Sequence, residues 1–99
     1  MIGGFSQQNV DDHHRDLVNT LKPSFEGQLG ATHSNWNIDA VFSQVVAGTY
    51  VHFHLTGDNG TQISVLVFEP LPHTGNPATV ERVEHGHTQA RNPNWQWFR

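Results

Sequence analysis

Eight histidines and no cysteine define the side-chain chemistry open to this 99-residue chain. His52 and His54 stand two apart, and His85 and His87 repeat that spacing across Gly86. On a strand, residues two apart share a face, so each pair could offer two imidazoles to Zn²⁺, Cu²⁺ or Ni²⁺ once further ligands converge. No thiolate is available to complete such a set, and the nearby carboxylates do not fall at a ligand spacing. His13 and His14 are adjacent, and neighbours on a helix diverge. The expected state of these histidines is therefore exposure on strands and loops, with no metal site and no cofactor. Protonating all eight would carry the formal charge from −4 to +4, so the surface can change sign on acidification. Ser34, Ser43 and Ser64 have histidines within sequence reach, but none sits in a Gly-x-Ser-x-Gly context. Phosphate loops and dinucleotide fingerprints are absent too. The chain does not read as an enzyme.

A different kind of chemistry is offered by Gln44-Val45-Val46-Ala47-Gly48. A β-rich run from Val41 to Leu55 is interrupted there by two small residues and a Thr, which predicts a strand that turns sharply and returns. Turns are usually polar because their side chains have nothing to bury. Two β-branched apolar residues at such a tip suit a surface that enters a partner.

The elements that would position this tip follow from periodicity. Asp11 and Asp12 offer N-cap oxygens and favourable charge at a helix start. His14, Leu17, Val18, Leu21 and Phe25 then form one stripe on a 3.6-residue period, which predicts a helix over about 11–28, bent near Pro23. Ser6 to Gln8 reads as polar and flexible. Trp36, Ile38 and Val41 lead into the tip with a spacing slip that predicts a bulge between Ile38 and Val41. Val51, Phe53 and Leu55 alternate with Tyr50, His52 and His54, a strand with one buried face. Gly57-Asp58-Asn59-Gly60 predicts a tight hairpin. Ile63, Val65 and Val67 form the next strand, and Leu71-Pro72-His73-Thr74-Gly75 a second turn. Thr79–Val83 and Trp95–Phe98 are candidate further strands, with Trp95 and Trp97 packing on one strand face. One helix followed by an antiparallel meander is an α+β fold, a single domain over 1–99 with one long helix on a four- to five-stranded sheet.

Composition narrows the partners. Hydrophobic residues are 35% of the chain and mean hydropathy is −0.51, so the core must be small. No run approaches the roughly 20 apolar residues of a membrane span. No basic patch is visible, which argues against nucleic acid. Met1-Ile2-Gly3-Gly4 has neither a basic region nor an apolar stretch, so it does not read as a secretory signal. With cysteine absent as well, a cytoplasmic setting is expected.

Four segments, taken in order, resemble the stefins, the cysteine-free type 1 branch of the cystatin superfamily. They are Met1-Ile2-Gly3-Gly4-Phe5-Ser6; Leu17-Val18 with Leu21-Lys22-Pro23; Gln44-Val45-Val46-Ala47-Gly48-Thr49; and Leu71-Pro72-His73 with Asn76-Pro77. The departure is at Thr49, which Tyr50 follows directly where stefins usually carry an Asn. The resemblance implies a cystatin-like fold and a tight, reversible inhibitor of papain-like cysteine proteases of the cathepsin L, S, H and B type. It also implies a protease-binding wedge of three tips: Ile2, Gly3 and Gly4; Gln44, Val45, Val46, Ala47 and Gly48; Leu71, Pro72 and His73. The glycines would let the backbone pass close to a cleft wall. The expected state is a monomer whose first hairpin can open to give a domain-swapped dimer. The alternatives are a non-inhibitory interaction domain on the same fold and a His-mediated metal-binding protein.

Overall fold

Asp11 starts the helix from an extended conformation, its Oδ1 accepting from His14 N at 3.1 Å. In return, Asp11 N donates to His14 Nδ1 at 3.2 Å, so an imidazole takes the place of the usual Glu in a capping box. The His14 amide is the main reason that the Asp11 carboxyl lies below its ordinary pKa. From this start, α1 runs Asp12–Leu29 and continues through Pro23. The prolyl ring removes the bond that Asn19 O would accept, but both residues are exposed, so water can satisfy that carbonyl.

The computed structural model describes residues 4–91 and 93. Five strands, β1 (Ser6–Gln8), β2 (Trp36–Val46), β3 (Gly48–Gly57), β4 (Gln62–Glu69) and β5 (Thr79–His85), form one antiparallel sheet in that order. The helix stripe places Leu17, Val18, Leu21 and Phe25 on Val41, Val51, Phe53, Leu55, Ile63, Val65 and Val67. Each side chain buried there contributes roughly 1.5–3 kcal/mol. The predicted bulge is present, with register shifting between Ile38 and Ala40. Trp95–Phe98 lies outside the described residues.

Two expectations are corrected, and one turn is defined. Ser6–Gln8 is not loose: it pairs with Val41–Ser43, because Phe5 beside it is fully buried and draws the segment onto the sheet. The predicted hairpin after β3 is present as a three-residue loop, Asp58-Asn59-Gly60, closed by Gly60 N to Gly57 O at 3.0 Å and Gly57 N to Thr61 O at 2.8 Å. Most consequentially, β3 is buried on both faces. Val51, Phe53 and Leu55 face α1, while His52 is 1% exposed on the opposite face beside Phe5, Phe42, Leu66 and Ala90. The exposed setting expected for these histidines fails at His52, because the chain after β5 folds back over that face.

At one end of the sheet, Glu26 secures the exit of α1. Its Oε2 accepts from His33 N and from Trp36 Nε1, each at 2.9 Å. Burial pushes this carboxyl's pKa up, but the two hydrogen bonds outweigh it and leave it below the ordinary value. His33 Nδ1 reaches Asp58 Oδ1 at 3.0 Å, so the β3–β4 turn is fastened to the same segment. That bond is the main cause of a lowered Asp58 pKa.

Candidate functional site

At the opposite end of the sheet, β2 and β3 stay paired up to the tip. Gln44 faces Tyr50, Val45 faces Thr49 and Val46 faces Gly48, leaving Ala47 as the turn itself. Val45 is 80% exposed and Val46 43%. Gly48, by contrast, is buried, and its φ of 127° is a conformation that side chains disfavour. A Cβ there would also lie 2.5 Å from Phe68 Cζ and 2.7 Å from Glu69 O. The glycine lets the hairpin lie directly against the end of β4. Despite the direct Thr49–Tyr50 junction, β3 keeps register with β4 from Thr49–Glu69 through Thr56–Gln62.

Beyond Glu69 the chain leaves the sheet into the second turn. Leu71 O accepts from Thr74 N at 3.0 Å and from Thr74 Oγ1 at 2.7 Å, closing a single helical turn over Pro72–Thr74. Leu71 is 40% exposed, and Pro72 and His73 are exposed too. Among the described residues, Val45, Val46 and Leu71 are the exposed large hydrophobics, and all three lie at this end. A groove of about 250 Å³ separates the two turns, lined on one side by Gly48 and Thr49 and on the other by Glu69–Pro72. His13 also lines it, holding Glu69 Oε2 from its Nε2 at 2.8 Å.

The N-terminal segment joins the same end. β1 runs antiparallel to β2, with Ser6 opposite Ser43, so Phe5 and Gly4 lead toward the first tip. Gly4 has φ of 86° and lies so close to Gln44 that a Cβ would fall 2.2 Å from its Nε2. Ile2 and Gly3 lie outside the described residues. The structure thus brings Gly4, Gln44–Gly48 and Leu71–His73 to one edge. Gly48 is a supporting residue there rather than an exposed one. Sequence reasoning missed Phe5, which anchors the N-terminal segment, and the His13–Glu69 contact beneath the second turn. Phe5 left a signal as a lone aromatic after two glycines. The His13 contact left none, since 56 residues separate its partners.

The histidine pairs do not converge as ligands. His52 and His54 both aim Nε2 at Thr88 O, at 3.2 and 2.9 Å. Among the described residues, no group of three His, Asp or Glu is arranged to hold a metal ion.

No protein-family model matches the chain. Over 65 residues, 64% of its length, it is 34% identical to leukocyte cysteine proteinase inhibitor 1 of Sus scrofa. The match spans 61% of that protein. In structure, the chain is similar to a secreted type 1 cystatin from Fasciola hepatica, with a TM-score of 0.68 at 24% identity, covering 91% of this chain and 98% of that one. The fold is the cystatin fold. The likeness to the porcine inhibitor supports the stefin resemblance, the structural likeness bears on the fold, and neither relative is named for an enzymatic activity.

Proposed function

We propose that this protein is a reversible inhibitor of papain-like cysteine proteases. It would insert the N-terminal segment and the two turns, Gln44–Gly48 and Leu71–His73, into the active-site cleft as a wedge. The observation that carries this reading is the gathering of Val45, Val46 and Leu71 at the one end where Gly4 also lies. A soluble fold buries large apolar groups where it can, and three left out together mark a contact surface. The named activity of the porcine relative supports the same class.

Mechanistically, the wedge works by occupancy. The Val45–Ala47 tip would cover a catalytic Cys–His pair without offering a peptide bond in attack geometry. Val45 and Val46 would bury against the cleft floor, each contributing roughly 1.5–3 kcal/mol when fully covered. The hairpin is paired to its last residue, so little conformational freedom is lost on docking. The chain has no cysteine to be oxidised or exchanged, which fits action in a reducing cytoplasm.

Titration of active papain with the purified protein tests this reading. The expected result is stoichiometric loss of activity that is recovered on dilution or by competition with substrate. Full activity at micromolar protein would overturn it in favour of a non-inhibitory interaction domain, the reading that the shared fold keeps open.

A further inference from the structure

The chain after β5 folds back over the sheet face turned away from α1. Gly86 N donates to Gln62 O at 2.8 Å, Gly86 O accepts from Ser64 Oγ at 2.7 Å, and Thr88 N donates to that hydroxyl at 2.8 Å. Ala90 is buried with Phe5, Phe42 and Leu66. Thr88 O then meets both His52 Nε2 and His54 Nε2. A carbonyl only accepts, so each ring must carry hydrogen on Nε2. A second proton on His52 would have to sit on Nδ1, which is buried and has no hydrogen-bond partner. His54 lies 5.2 Å from His52 and stacks on His87 at 4.6 Å with the planes 4° apart. His52 and His54 therefore share one layer beneath Thr88, with the more exposed His87 stacked on His54.

We propose that this layer is an acid-operated latch: His52 and His54 hold the segment Gly86–Arg91 on the sheet through Thr88 O, and acidification charges the buried His52 ring and lifts that segment from Phe42 and Leu66. The groups facing the rings set its sense. From β2, Asp39 lies 3.3 Å from His87 Nε2. From β5, Arg82 opposes and Glu84 favours charge on His52, and the two are paired to each other at 3.3 Å. Arg91 of the segment stands 3.8 Å from Glu84, and β1 and β4 contribute Phe5, Ser64 and Leu66, none of which titrates in this range. The closed layer offers no partner to a second proton on His52, so that proton favours the open state. Burial first, and His54 second, lower the His52 pKa to about 4 from an ordinary 6.5, so the proton enters more readily once the segment is open.

Hydrogen exchange on the full chain tests the latch, read as protection factors at about pH 7 and about pH 4.5. The Gly86 and Thr88 amides should lose protection by about tenfold or more at the lower pH, while Val51 and Val65 in the main core keep theirs. In H52Q/H54Q the amides can still donate to Thr88 O but do not titrate, so that loss should disappear. Should that variant not fold, the ¹⁵N shifts of the wild-type His52 ring decide independently, the neutral Nε2–H form being expected at about pH 7. Unchanged protection of Gly86 and Thr88 would overturn the latch. So would loss shared by Val51 and Val65, the same loss in the folded glutamine variant, or an Nδ1–H ring at His52.

Discussion

Val46 is half uncovered at the tip of a hairpin that has no slack, so its side chain tests the wedge directly. Val46→Asp would bring a carboxylate against a cleft floor with no partner for it, and a buried unpaired charge is more costly than the apolar contact it replaces. Inhibition of papain should weaken by at least about tenfold, with an unchanged circular dichroism spectrum showing that the fold persists. An unchanged inhibition constant would remove Val46 from the contact. The His13–Glu69 pair nearby is of another order. With side chains 61% and 25% exposed, it contributes no more than about 1 kcal/mol. The second turn is shaped instead by its Pro-Leu-Pro backbone and the Leu71–Thr74 hydrogen bonds.

At the scale of the element, α1 is held by its apolar stripe and by one polar hub. Glu26→Ala would leave the Trp36 indole N–H and the His33 amide without their acceptor, at about 1–3 kcal/mol for each group that stays buried. Urea unfolding should show the midpoint falling at nearly constant slope, while papain inhibition by the folded fraction stays unchanged because the hub lies at the far end of the sheet. Helix, hairpin and bulge were all legible in the sequence, because each writes a local period: the 3–4 spacing of Leu17 to Phe25, the 2-spacing of Val51 to Leu55, the slip at Asp39. The Val-Val tip was legible as a site candidate because two β-branched apolar residues interrupt a turn, and the N-terminal glycines only through the stefin resemblance. The burial of His52 was not. Alternation identifies one covered face, but says nothing of a segment that returns 36 residues later, at Thr88, to cover the other. β1 was hidden likewise, since Ser-Gln-Gln carries no strand signature and owes its pairing to buried Phe5.

For the whole molecule, the second layer makes stability depend on acid. The unfolded chain takes a proton at His52 near 6.5, whereas the folded chain resists until about 4. In between, the unfolded state binds more protons. Stability is therefore full above about pH 6.5, declines as pH falls, and levels off below about 4, a loss on the order of 3 kcal/mol from this group. Thermal melting across that window checks the slope, and His52→Gln should flatten it. The sheet also has an outer margin along β2, an eleven-residue strand of which β1 pairs only Val41–Ser43. An open strand edge is a template for a neighbouring chain. Here the margin is blunted twice: by the bulge at Asp39, which twists the first half away, and by a three-residue polar strip laid over the second. The N-terminal segment is thus also a guard against strand addition between copies. A variant lacking residues 1–8 should associate in a concentration-dependent way by light scattering, where the full chain at neutral pH stays monomeric.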